Sequence, residues 1–220
     1  MADGLFAEPP IALGSPVGLG AAMAGGRSSR SMTERRGNDF YPTPPEVTAA
    51  LLARESHSLR AAAAGGPVWE PCGRGGAIVG VLASAGFDVV ATDLVADPDH
   101  GVRQQDLLTA RRRLGRAVVT NPPFALAEAM IRRLLGDLGV EWCALVLKAT
   151  FWHASTRTPL YRLHPPQRVY ALNWRPDFLG LGAPTMEVVW CVWDRSCAGL
   201  GTRYDVLEPA RAAGLFDPPP

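Results

Sequence analysis

Short apolar runs recur along this chain, and nearly every one ends in a chemically loaded segment. Val68 and Trp69 lead into Glu70, and the run 88–93 ends on Asp93. The run 117–120 leads into Asn121, and the run 142–147 into Lys148. Apolar runs this short, separated by helical stretches, are the pattern of parallel strands covered on both faces. We expect strands at 68–70, 88–93, just before Asp106, 117–120, 142–147, 168–173 and 188–193, with helices at 45–53, 77–85 and 126–135. Thr43 is the expected N-cap of the first helix, whose opening turn carries prolines. The expected fold is therefore α/β: a seven-stranded, mainly parallel sheet with its last strand antiparallel and helices on both faces. Sheets of this kind bind ligands beyond the carboxyl ends of their strands, so the loaded segments should share one face.

Composition narrows the class. A chain of 220 residues has room for about one domain, and an apolar content of 47% excludes a wholly disordered chain. The net charge of +1 excludes a histone-like polycation. The four cysteines form no CxxC pair and are too sparse for a disulfide scaffold, so a reduced, cytoplasmic compartment is expected. There is no apolar run long enough for a membrane span. Residues 1–36, rich in Gly, Ala, Pro and Ser, read as a disordered tail. Residues 37–195 read as the folded domain and 196–220 as a C-terminal extension.

Two segments carry the chemistry. In Glu70-Pro71-Cys72-Gly73-Arg74-Gly75-Gly76 the glycines permit a sharp turn and close approach of backbone to a ligand. Asp93 follows Glu70 by 23 positions, the spacing at which a carboxylate meets a ribose diol in doubly wound folds. A carboxylate opening the loop repels a pyrophosphate, whereas it suits the sulfonium and amino groups of S-adenosylmethionine. The second segment is Asn121-Pro122-Pro123-Phe124. Its prolines stiffen the backbone and remove two N–H donors, which leaves the Asn121 amide oxygen and the Pro122 carbonyl as fixed acceptors. Phe124 adds a flat apolar face. Two acceptors and a stacking ring suit a planar exocyclic amine, whose nitrogen gains charge during methyl transfer.

With these residues in place, the chain resembles the class I S-adenosylmethionine-dependent methyltransferases. It is most similar to the amino-group DNA methyltransferases that modify adenine N6, and among them to short phage and prophage-type members. Tyr41, Thr43 and Pro44, within Asp39-Phe40-Tyr41-Pro42-Thr43-Pro44-Pro45, resemble that family's N-terminal cofactor motif. Glu70, Pro71, Gly73, Gly75 and Gly76 resemble its glycine loop, with Arg74 standing where a middle glycine is usual. Asp93 with Leu94 and Asp106 with Leu107 match its ribose and adenine contacts, and Asn121, Pro122, Pro123 and Phe124 its catalytic tetrapeptide. The resemblance covers roughly residues 38–195. It implies a Rossmann-like methyltransferase fold, S-adenosyl-L-methionine as cofactor, Asn121 contacting both cofactor and base, and a flipped-out adenine in DNA.

Residues 142–176 hold Lys148, Arg157, Arg162, Arg168 and Arg175 with no acid. Aromatic residues are interleaved with them, as on a nucleic-acid surface. Lys148, Phe151, Trp152, Arg157, Trp174 and Arg175 are the expected substrate contacts, and Trp142 and Tyr170 the expected core. The run 111–113, with Arg116, reads as a solvated helix face. His153 and His164 lack metal-ligand spacing, so no metal site is expected. The resemblance implies a separate target-recognition domain, for which 196–220 is too short. A partner protein is one possible source of specificity. The competing readings are an RNA base methyltransferase, a protein glutamine N-methyltransferase and an inactive DNA-binding module.

Overall fold

Alternation of side chains along each strand divides the interior into two layers. Along β5 (Trp142–Lys148), Trp142, Ala144 and Val146 enter one layer while Cys143, Leu145 and Leu147 enter the other. That alternation follows from the period of two in an extended chain. The computed structural model describes residues 41–182, 184 and 186–209. These residues fall within one of the chain's two units, Phe40–Pro220. The expected tail, with Asp39 and Phe40, lies outside the described residues.

Among the described residues the sheet has eight strands in the order β3-β2-β1-β4-β5-β7-β6-β8. They are β1 (Val68–Glu70), β2 (Val89–Asp93), β3 (Arg103–Gln104), β4 (Ala117–Thr120), β5, β6 (Arg168–Leu172), β7 (Val188–Asp194) and β8 (Arg203–Leu207). Only β7 runs against the rest, antiparallel to both β5 and β6. The parallel order and the reversed β7 agree with expectation, but the strand count does not. β8 pairs with β6 over five residues, from Arg168↔Arg203 to Leu172↔Leu207, so the folded domain extends past 195. In β8 only Leu207 is buried, while Tyr204 and Val206 are exposed. An edge strand with one buried side chain shows no apolar run.

Helix α1 (Pro45–Ala63) and helix α2 (Ala77–Ser84) cover the first layer, where Val47, Leu51, Leu59, Ile78 and Leu82 are buried. The indole Nε1 of Trp190 in β7 donates to the Val47 carbonyl at 3.0 Å, tying α1 to the sheet. Expected to stop near 53, α1 runs ten residues further because Glu55, Leu59 and Ala63 continue its buried stripe. Helix α3 (Ala127–Arg132) continues into a π turn, Arg133–Asp137, and covers the second layer with helix α4 (Thr158–Leu163). Trp69, Trp142 and Trp190 are all fully buried. At roughly 1.5–3 kcal/mol for each large apolar side chain taken out of water, the two layers are a main source of stability.

Candidate active site

The carboxyl ends of β1, β2 and β4 lie side by side, and their following segments meet there. Glu70 closes β1 and is wholly buried. Its Oε1 accepts the Cys72 N–H at 2.9 Å and the Thr120 hydroxyl at 2.5 Å. Its Oε2 is buried without a partner. Burial without a cation pushes the Glu70 carboxyl up to about 8, against the partial relief given by the Thr120 hydroxyl and the Cys72 amide. Thr120, at the end of β4, carries no motif of its own in the sequence. Its part emerges only because β4 lies beside β1.

The loop after Glu70 is compact by necessity. A Cβ on Gly73 would stand 3.0 Å from Glu70 Cγ and 3.1 Å from Ala91 Cβ. Gly76 has φ +64°, and a Cβ there would stand 2.9 Å from the His100 ring. The loop amides face carboxylates: Gly75 N–H donates to Asp97 at 2.8 Å and Arg74 N–H to Asp93 at 3.4 Å. The Gly75 amide first, and His100 beside it, hold the Asp97 carboxyl below its usual range. The sequence reading missed Asp97, whose only signal was an acid four positions after Asp93. The other Asp93 oxygen accepts the Val95 N–H at 3.1 Å. Leu94 beside it is 63% exposed. Asp106 caps the turn Leu107–Thr109 through the Leu108 N–H at 2.9 Å, and Leu107 itself is buried in the second layer.

Asn121 is oriented by the segment ahead of α1. Its Nδ2 donates to Thr43 Oγ1 at 3.1 Å and toward the Tyr41 carbonyl at 3.4 Å. A carbonyl can only accept, so this contact sets which way the amide points. Its Oδ1 is then left buried and unpartnered. Thr43 is thus not the helix cap it was expected to be. Pro44 holds that position, and the Thr43 hydroxyl is turned to Asn121. Pro122 is buried, and the Pro123 carbonyl accepts the Leu126 N–H at 2.8 Å, starting the turn into α3. Phe124 is partly buried against the first layer, as are Tyr41, Trp174 and Met186.

The expected substrate contacts separate into two groups. Lys148 is exposed, with Nζ 5.1 Å from the centre of the Phe124 ring, a cation–π distance. Trp174 packs against the same layer as Phe124, and its Nε1 is buried without a partner. Phe151 and Trp152 belong to the opposite layer. Phe151 is 4% exposed, and the Arg157 guanidinium lies 4.2 Å from its ring centre and donates to its carbonyl at 2.6 Å. The core therefore claims Phe151, because an apolar ring gains more from burial than from waiting for a ligand, and the half-buried Arg157 is held on that ring with Glu128 at 3.8 Å. Trp152 meets Phe151 and Tyr161 edge-on at 4.8 and 5.2 Å. The stretch without acids is also less basic than it reads. Arg175 pairs with Glu187 at 2.5 Å, and Arg168 with Glu55 and Asp194.

No family model matches the sequence, and no curated protein matches it. Solved structures do resemble it in fold. A candidate RNA methyltransferase from Pyrococcus horikoshii superposes with a TM-score of 0.57 at 13% identity, covering 71% of this chain and 86% of that one. The tRNA (uracil-54, C5)-methyltransferase of Pyrococcus abyssi, in complex with S-adenosyl-L-homocysteine, superposes more loosely. Its TM-score is 0.48 at 14% identity, over 71% of this chain and 40% of that one. With its strand order and reversed β7, the chain has the Rossmann-like methyltransferase fold.

Proposed function

We propose that this chain is an S-adenosylmethionine-dependent methyltransferase that modifies the exocyclic N6 amine of adenine in DNA. The observation that carries the reading is the pair of buried, unpartnered oxygens at the carboxyl end of the sheet, Glu70 Oε2 and Asn121 Oδ1. A buried acceptor without a donor costs on the order of 1–3 kcal/mol, so two of them beside each other's strands mark a place that a ligand completes. The two oxygens ask for different ligand groups. The Glu70 carboxyl, held neutral by burial, can give up its proton and pair with a cationic ligand, and the Asn121 amide oxygen suits an N–H.

The residues fit S-adenosylmethionine better than a dinucleotide. A pyrophosphate needs free amides at the loop, whereas Asp93 and Asp97 already occupy the Arg74 and Gly75 amides. Glu70, the 71–76 loop, Asp93 with Leu94, Asp106 and the Tyr41–Pro44 segment would hold the cofactor. When bound, it supplies an electrophilic methyl group on a sulfonium. Asn121 Oδ1 and the Pro122 carbonyl accept from the amine and favour its pyramidal, charge-bearing form. Phe124 stacks on the base, with the Lys148 cation on the ring. To reach these groups the base leaves its stack.

RNA is the second reading, because the same acceptors serve adenine in either polymer and the structure of the same fold from Pyrococcus horikoshii is named for RNA. Mass spectrometry of DNA and RNA from cells expressing the chain, beside an Asn121→Ala control, separates the two. N6-methyladenine in DNA that disappears in the control is the expected result. The mark in RNA alone selects the second reading, and no new mark in either overturns both.

A further inference from the structure

The sheet edge at β3 carries a cleft of about 390 Å³, lined by Arg103, Gln104, Gln105, Arg111, Arg112 and Leu114. No carboxylate lines it. Arg103, Arg111 and Arg112 are exposed. Their neighbours are committed elsewhere: Arg113 and Arg116 to Glu141, and Arg133 to Asp137. Among the described residues no acid stands within ion-pair distance of Arg103, Arg111 or Arg112. The run 111–113 is not the helix face expected of it, since these residues lie outside any helix; Arg111 and Arg112 line the cleft at the β3 edge, while Arg113 turns to Glu141. Gln104 is held at this edge by its Nε2, which donates to the Leu94 carbonyl at 3.2 Å.

Three guanidinium groups offer donors and no acceptors, so the cleft takes oxyanions. Repulsion among three unpaired cations in a chain of net charge +1 is offset most directly by phosphate. Position selects the kind of phosphate. β3 stands three strand positions from β4, which ends at the segment carrying Asn121. At ~4.8 Å per strand that is about 14 Å, the length of about four base-pair steps of duplex. We propose that this cleft is a second nucleic-acid contact, in which Arg103, Arg111 and Arg112 hold backbone phosphates of the substrate away from the target base. The proposal rests on the nucleic-acid reading above, and it gives the domain a footprint longer than one nucleotide. Such contacts set orientation and register without reading sequence.

The test is the salt dependence of binding, measured by fluorescence anisotropy with the full chain. The probes are a labelled duplex of about two helical turns and its single strand. In the Arg103→Ala/Arg111→Ala/Arg112→Ala variant, with circular dichroism showing the fold retained, the slope of log K against log salt should shrink by about 2–3. Replacing all three by lysine should restore most of that slope, because the slope counts charges. An unchanged slope in the triple alanine variant overturns the proposal. So does an NMR titration in which inorganic phosphate shifts the cleft resonances and the oligonucleotide leaves them in place, since that assigns the cleft to free phosphate. The slope is read without turnover. Methylation with an unchanged slope sinks the cleft alone, and a changed slope without methylation sinks only the activity proposed above. Absence of any oligonucleotide binding by the native chain overturns both.

Discussion

Each end of the sheet holds a buried glutamate, and the two are treated in opposite ways. At the amino end, Glu55 of α1 is 4% exposed and saturated. It accepts from Arg168 Nη2 at 3.1 Å, from the Tyr170 hydroxyl and from the Ser58 hydroxyl. Arg168 reaches on to Asp194 at 2.9 Å, and Asp194 accepts from Ser196. Burial and the Glu55 carboxylate together push the Tyr170 phenol up. At the carboxyl end, Glu70 is 0% exposed, has no cation and keeps one oxygen without a partner. Asn121 repeats the pattern beside it. Equal burial therefore does not mean equal purpose. Polar groups that complete one another hold a fold together, whereas Glu70 and Asn121, incomplete beside the glycine loop, are the groups the proposed ligand would complete.

The largest expected effect tests the saturated end. Arg168→Ala leaves Glu55 and Asp194 buried without their cation and should cost about 3–5 kcal/mol in urea unfolding. Because the damage lies at the far end of the sheet, S-adenosylmethionine affinity of the folded fraction should stay at the native value. Loss of affinity without loss of stability would erase the contrast between the two ends.

Next in size is the unsaturated amide. Asn121→Ala should slow single-turnover methyl transfer by on the order of 10²–10³ while leaving cofactor affinity nearly intact, since the acceptor matters most as charge develops on the amine. Native-like turnover of this variant would remove Asn121 from the chemistry. Smaller again is Asp93→Ala. Its loss should weaken S-adenosylmethionine binding by roughly 1.5–3 kcal/mol by calorimetry, the range of a charge-assisted hydrogen bond. Unchanged affinity would leave Asp93 as a prop of the loop amides alone.

The smallest effect is the most diagnostic for Glu70. With its carboxyl near 8 in the free protein, a cationic ligand must drive off a proton at lower pH. Affinity should therefore rise with pH by up to about tenfold per unit, ~1.4 kcal/mol, and level off above about 8. Calorimetry in buffers of different ionisation heat should show proton release at pH 7 that is absent in Glu70→Gln. In the unliganded protein the sign is opposite for stability. The unfolded chain ionises Glu70 from about 4.5 upward while the folded one resists until about 8, so stability should fall across that window and Glu70→Gln should flatten it. Proton uptake on binding would contradict a cation at Glu70.

Much of the carboxyl end was legible in sequence because its parts are local. A buried strand needs an apolar run, a tight loop needs glycine, and the residue that follows a strand must stand at its end. Glu70, Gly73, Gly76, Asp93 and Asn121 could thus be placed in order and on one face before any contact was known. What the tertiary structure alone decided is which of these groups find partners. Glu55 meets Arg168 across 113 positions of chain, and Thr120 meets Glu70 across 50. Arg175 is paired with Glu187, and Phe151 goes to the core. Among the described residues Arg103, Arg111 and Arg112 have no acid within ion-pair distance. A residue's type and its place at a strand end are properties of the local chain. Whether its charge or hydrogen bond is satisfied depends on which distant residues the fold brings within about 3 Å, and no local pattern records that distance.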